Sequence, residues 1–316
     1  MVISSTRSAA RHRVPDRQSG HGWQSRAADG VELAGDRYGP DHGPVPVLLA
    51  HGFGQTRHAW MRTAERLADA GYPALAFDAR GHGGSGRNPA TLPYSTEQFV
   101  SDQVVLAGSF GRAVSAAEPV LVGASMGGLI GLVAQHRHAL YSALVLVDIA
   151  PRWRPEGVAR ILDFMAAHPD GFDDYRHAAD AIAERLPHRP RKTQEQLASL
   201  LVNDRSGRLR WHWDVRLLDD IGRAGDRDQA ALLAAAGALT VPVLLVSGGR
   251  SELIDTDHID EFLALAPHAE HIRLPEATHM VAGDDNDRFT DAVLDFLGRR
   301  PRLRSPLPTS TPGESP

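Results

Sequence analysis

The chain has 316 residues, 42% of them apolar, with a formal net charge of −5 and no cysteine. That much apolar material fills one large α/β core with room for an insertion, and the mild acidity excludes a global basic field for nucleic acid or an anionic membrane. Without cysteine there are no disulfides, thiolate metal sites or cysteine nucleophiles, which suits a reducing, cytoplasmic setting.

Residues 1–28 start rich in Arg and Ser, lack the apolar segment of a secretion signal, and are expected to form a disordered leader. Short apolar runs then alternate with helical stretches. Strands are predicted over 31–38, 45–50, 74–77, 120–122, 143–147, 243–246 and 271–274. Helices are predicted over 56–70, 95–117, 126–138, 259–265 and 287–297. Such alternation argues a mostly parallel sheet covered on both faces. It breaks between 151 and 237, where helical stretches and prolines appear without a convincing strand, so this segment is expected to be a helical cap. Residues 29–150 and 238–298 form the α/β core, and the Pro/Ser/Thr-rich 299–316 a disordered tail. No uninterrupted apolar run reaches the roughly 18 residues of a membrane helix.

The chemistry concentrates at Gly123-Ala124-Ser125-Met126-Gly127, which follows the apolar run Val120-Leu121-Val122. This is G-x-S-x-G, a strand–turn–helix elbow that holds a serine hydroxyl above the sheet edge. The turn is so tight that the positions two before and two after the serine must be nearly free of side chain. The strand 45–50 runs into His51-Gly52-Phe53-Gly54, where the Phe53 N–H joins the Met126 N–H as a two-donor oxyanion hole. His279, in Pro275-Glu276-Ala277-Thr278-His279-Met280 after the last strand, falls on the same sheet edge, where its imidazole can act as base toward Ser125.

Together these segments resemble the α/β-hydrolase fold superfamily in its lid-bearing serine esterase branch. The resemblance covers residues 30–298 and includes the loop Asp78-Ala79-Arg80-Gly81-His82-Gly83-Gly84-Ser85. It implies the order nucleophile, acid, histidine. The usual acid position falls on Ser251 in Gly248-Gly249-Arg250-Ser251-Glu252, so Glu252 is one candidate acid. The other is Asp148 in Asp148-Ile149-Ala150-Pro151, since a subgroup of bacterial esterases carries that run and takes its acid from that strand. Asp148 is preferred, because a charge closing a buried apolar strand requires a partner; Ser251 is expected to add a hydrogen bond to the histidine.

The resemblance implies hydrolysis of a small carboxylic ester through an acyl-serine, with no cofactor or metal and no nucleic-acid or membrane partner. The same triad also serves haloperoxidases and perhydrolases, lactonases, amidases and carbon–carbon bond hydrolases. A non-catalytic ligand receptor on this fold is the rival of another class. In the cap, Arg210-Trp211-His212-Trp213-Asp214 either roofs the acyl pocket, with Trp211 and Trp213 against substrate, or anchors the cap to the core. Gly81-x-Gly83-x-x-Gly86 spells a dinucleotide fingerprint but is followed by Asn88-Pro89 and Pro93 rather than a helix. Asp284, Asp285 and Asp287 carry only half a calcium-loop pattern and are expected to charge the start of the last helix.

Overall fold

The computed structural model describes residues 20–114, 118–185, 191–222, 225–284 and 286–299. The first half of the core runs through β1 (His21–Arg26), β2 (Glu32–Tyr38), β3 (Val47–Ala50), α1 (Met61–Asp69), β4 (Ala74–Phe77), α2 (Thr96–Ala113), β5 (Val120–Ala124), α3 (Met126–His138) and β6 (Ala143–Val147). The cap follows with α4 (Pro155–Ala166), α5 (Tyr175–Arg185), α6 (Gln194–Ala198), β7 (Leu201–Asn203) and β8 (Leu209–Trp211). The chain then returns through α7 (Gly225–Gly237), β9 (Val243–Gly248), α8 (Thr256–Leu265), β10 (Glu270–Leu274), α9 (Val281–Asp284) and α10 (Asn286–Gly298).

Eight strands form one sheet in the order β1-β2-β4-β3-β5-β6-β9-β10. β1 and β2 are antiparallel to their neighbours, and every pair from β4 to β10 is parallel. The pleat divides the core. Leu48 of β3, Leu121 of β5 and Leu144 and Leu146 of β6 face one cluster with Phe99, Leu106 and Ile130 of α2 and α3. Leu49, Val122, Val145 and Val147 face the other, with Leu67 of α1 and Phe289, Val293 and Phe296 of α10. Strands buried on both faces read as unbroken apolar runs, which is why their sequence showed them so directly.

Four expectations need correction. The leader was expected to reach residue 28, but 21–26 is edge strand β1, whose exposed, polar residues carry little apolar signal; residues 1–19 and 300–316 lie outside the described residues. The cap is not wholly helical, because β7 and β8 pair antiparallel around a turn that places Gly207 at φ 83°. Finally, α7 falls within the expected cap yet packs against α3 and α8, burying Leu232, Ala235 and Ala236 in the main core. The predicted helix over 95–117 ends at Ala113, and residues 115–117 lie outside the described residues.

Candidate active site

Register aligns the site. Ala50 pairs with Gly123, Ala124 with Val147, and Val147 with Val246, so the segments after β3, β5, β6 and β9 leave the sheet side by side. Ser125 sits at φ 47° and ψ −120° between β5 and α3, in the left-handed region that non-glycine residues avoid at a cost of about 1–3 kcal/mol. Its N–H donates to the carbonyl of Val147 at 3.2 Å, tying the elbow to the residue before Asp148.

The flanking glycines are required by contact. A Cβ on Gly123 would stand 2.7 Å from the backbone of Gly128, and one on Gly127 would stand 2.5 Å from the carbonyl oxygen of Ala50. Behind the elbow, Gln103 donates to the Gly127 carbonyl at 3.4 Å and accepts from the Tyr141 hydroxyl at 2.7 Å.

Asp148 follows β6 directly, is fully buried and also takes a positive φ, 50°. Its Oδ1 accepts the Gly248 N–H at 2.7 Å. Its Oδ2 accepts from the Ser251 hydroxyl at 2.5 Å and from Nδ1 of His279 at 2.8 Å. With Nδ1 donating to the carboxylate, Nε2 of His279 is left as the basic nitrogen. The histidine loop also meets the turn after β3. Gln55 donates to the Met280 sulfur at 3.1 Å and accepts the Gly52 N–H at 2.9 Å, and a Cβ on Gly52 would lie 3.2 Å from that of Ser125.

Of the two candidate acids, the structure therefore joins Asp148 to His279. Glu252 turns away toward Arg160 at 3.4 Å and Arg185 at 3.7 Å on the surface. The expected bond from Ser251 to the histidine is corrected as well: its hydroxyl supports the carboxylate and accepts the N–H groups of Leu253 and Ile254 at 3.1 and 3.2 Å.

Phe53 lies in the turn after β3, and Met126 opens α3, whose first turn receives no side-chain cap from Ser125. Helix N-termini favour developing negative charge. The turn is held by three buried histidines to which sequence reasoning assigned no role. Nδ1 of His51 donates to the Gly52 carbonyl at 2.8 Å, and that carbonyl belongs to the same peptide plane as the Phe53 N–H; Nε2 of His51 accepts from Ala79 at 3.0 Å. Nε2 of His82 accepts the Gly54 N–H at 3.2 Å while its Nδ1 donates to the Arg80 carbonyl at 3.1 Å. Nδ1 of His212 accepts the Gly83 N–H at 2.8 Å while its Nε2 donates to the Gly54 carbonyl at 3.3 Å.

All six ring nitrogens are thus engaged, so the trio is not a metal cradle. Each ring accepts from a main-chain N–H and must be neutral. Burial pushes all three below the usual histidine value, His212 to about 4. The signal available in the sequence was the histidines inside the two glycine-rich turns, which need side-chain partners for their main-chain groups.

The other polar residues of 78–85 are consumed internally. Asp78 accepts from the main chain of Arg57 and Gly84 at 2.7 and 2.8 Å and pairs with the Arg57 guanidinium; Ser85 donates to the Asp78 carbonyl at 2.6 Å. The two tryptophans part ways. Trp213 is buried against Phe53, ring centroids 5.5 Å apart, whereas Trp211 sits between the main core and the cap's own cluster, edge-on to Phe172 at 5.2 Å. From the cap, Met165 also reaches the turn after β3, its Cε occupying the place that a Cβ on Gly54 would take.

A mostly parallel eight-stranded sheet with a serine elbow, a buried carboxylate and a histidine gathered at its carboxyl edge is the α/β-hydrolase architecture. The family model of Hydrolase_4, serine aminopeptidase S33, matches residues 45–286, and the chain belongs to that family. It is 26% identical over 279 residues to the 3-hydroxybutyrate-oligomer hydrolase of Cupriavidus necator, covering 84% of this chain and 93% of that one. It is 28% identical over 267 residues to the sn-1-specific diacylglycerol lipase ABHD11 of Mus musculus, covering 79% and 80%. Among solved structures, E-2-(acetamidomethylene)succinate hydrolase superposes with a TM-score of 0.76 at 23% identity, covering 88% of this chain and all of that one.

Proposed function

We propose that this enzyme is a serine hydrolase of small carboxylic esters, with Ser125 as nucleophile, His279 as general base and acid, and Asp148 as the acid of the triad. The observation that carries the reading is the bond from His279 to the buried carboxylate of Asp148, at the sheet edge where a serine stands in a strained elbow. Similarity to an oligoester hydrolase and a diacylglycerol lipase supports ester chemistry.

Ser125 Oγ attacks the ester carbonyl as His279 Nε2 takes its proton. The carbonyl oxygen becomes an oxyanion held by the N–H groups of Phe53 and Met126. Collapse breaks the acyl–oxygen bond, and the departing alkoxide takes the proton from His279 to leave as alcohol. Water then gives a proton to His279 and attacks the acyl-serine; the second collapse releases the acid and returns the proton to Ser125. Every group required is in the chain or is water.

The cap supplies apolar cover through Trp213 and Met165, which suits an apolar acyl chain and excludes water during the reaction. The absence of cysteine suits a cytoplasmic enzyme, and no described helix is long and apolar enough to cross a membrane. A panel of p-nitrophenyl esters of graded acyl length tests the reading, together with fluorophosphonate labelling. The expected result is turnover with a preferred chain length and labelling that disappears in Ser125→Ala. Lactone, peracid or carbon–carbon cleavage without esterase turnover would replace this reading with one of its rivals, and an unlabelled Ser125 would favour a ligand receptor.

A further inference from the structure

His212 follows β8, at the foot of the cap, yet its ring is spent on the core. It grips the Gly54 carbonyl at 3.3 Å and the Gly83 N–H at 2.8 Å, while His82 holds the Gly54 N–H at 3.2 Å. Gly54 is therefore clamped at both its main-chain polar groups by two imidazoles whose centroids are 6.0 Å apart. The clamp matters because Gly54 sits at φ 73°, in a conformation only glycine enters freely, and a glycine released from its partners samples several others. Its neighbour Phe53 carries the N–H proposed as an oxyanion donor, and the Phe53 ring is wedged edge-on against His82 at 5.7 Å.

The segment bearing His212 is itself fixed. Arg87 donates to the His212 carbonyl at 3.0 Å, the Asp214 N–H donates to the Gly81 carbonyl at 2.8 Å, and the Asp214 carboxylate accepts from the Tyr94 hydroxyl at 2.9 Å. A side chain carried by the cap thus reaches the turn proposed to hold the oxyanion.

We infer that His212 is a positioning residue for the oxyanion hole, holding Gly54, and through it the Phe53 N–H, in the orientation that receives the oxyanion. The cap and the oxyanion turn then form one mechanical unit: a cap displaced at its foot loosens the hole. This inference rests on the ester-hydrolase reading with Phe53 as an oxyanion donor.

The test uses the full chain and three substitutions. Asparagine places an acceptor near His212 Nδ1 and keeps the Gly83 contact only; glutamine places a donor near Nε2 and restores the bond to Gly54; alanine removes both. With a p-nitrophenyl ester, His212→Ala and His212→Asn are expected to lower kcat by about 10- to 100-fold with KM within about threefold, a part of the roughly 10²- to 10³-fold cost of losing an oxyanion donor outright. His212→Gln is expected to recover to within about fivefold of wild type. Inhibition by a trifluoromethyl ketone, which binds as a hemiketal oxyanion, should weaken in step with kcat/KM across the series.

A folded His212→Asn protein with unchanged kcat overturns the inference. So does a loss carried wholly by KM, or ketone affinity that ignores the variants. Wild-type protein inert to esters and to fluorophosphonate would instead bring down the functional reading beneath it, whereas an active wild type with indifferent variants sinks this inference alone.

Discussion

Ser251 donates its hydroxyl to Oδ2 of Asp148 at 2.5 Å across the gap between the ends of β9 and β6. The residue at the acid position that the resemblance implies therefore supports the carboxylate proposed as the triad acid, which follows the neighbouring strand, and Asp148 accepts three bonds, from Gly248, Ser251 and His279. A carboxylate so supplied orients the histidine without being protonated itself.

Asp148→Asn is therefore expected to cut kcat by about 10⁴-fold, because an amide offers His279 a donor where it needs an acceptor and favours the wrong tautomer. Glu252→Gln, whose partners are Arg160 and Arg185, should leave kcat within about twofold, as is usual for surface substitutions. Placing the acid back in Asp148→Asn/Ser251→Asp should recover part of the loss, since the two side chains already touch. Steady-state kinetics on one ester decide it; full activity in Asp148→Asn would remove Asp148 from the triad.

The elbow glycines make a prediction about stability. A methyl on Gly127 must displace the carbonyl of Ala50 in a central strand, which cannot yield cheaply. Gly127→Ala should cost about 1–3 kcal/mol or more, as overpacking does, and abolish labelling of Ser125. Gly108, inside α2, meets only the flexible end of Arg112 at 3.3 Å, so Gly108→Ala should stabilise by about 0.5–1 kcal/mol. Urea denaturation of the two variants measures the contrast, and similar effects would mean that the elbow has more room than its contacts imply.

How much of this was legible depended on the kind of interaction. The buried parallel strands announced themselves as runs such as Val120-Leu121-Val122, and the elbow, His279 and Asp148 stood beside them because sheet register carries chain order into space. Edge strand β1 was hidden because His21-Gly22-Trp23-Gln24-Ser25-Arg26 faces solvent at most positions, with Trp23 alone packing on the core. The β7–β8 hairpin was hidden by its three-residue strands, although Asp204-Arg205-Ser206-Gly207 was a turn signal waiting between them. The imidazole scaffold left only the placing of His51 and His82 inside glycine-rich turns as a trace, and His212 left none, since a histidine that receives a main-chain N–H obeys no periodicity.

The same scaffold predicts the response to acid. Burial pushes the His212 imidazole down to about 4 from the 6.5 of a free histidine, and His51 and His82 are shifted in the same direction. Between those values the unfolded chain binds the proton that the folded chain refuses, so stability rises with pH through this window and is lost as pH falls toward 4. For His212 alone the full effect is about 3 kcal/mol. The groups around it are His51, His82 and Arg87, whose positive charge opposes its own, and Asp78 and the Gly54 carbonyl, which favour it; the Gly83 N–H would face a second proton if Nδ1 were protonated. Urea unfolding at pH 7, 5.5 and 4.5 should show falling stability, with a shallower slope in His212→Gln. An unchanged slope in that variant would mean that the acid response originates elsewhere.

Arg80 and Asp102 supply the last prediction. Both are buried, and the guanidinium binds the carboxylate through Nε at 2.6 Å and Nη2 at 2.5 Å, while Nη1 takes Asp29 at 2.7 Å and Asn88 at 3.0 Å. The carboxylates hold the guanidinium protonated, so removing one leaves a cation underground with half its compensation. Asp102→Ala should therefore destabilise by about 3 kcal/mol, the lower end for a broken buried pair because Asp29 remains. Replacing both partners with apolar residues, Arg80→Met/Asp102→Leu, should be milder than the single change, since no buried charge is then stranded and the Asp29 carboxylate that loses Arg80 reaches solvent. If the double variant is the worse of the two, the pair contributes more attraction than its desolvation costs, and the fold depends on it as an ion pair rather than as a filled space.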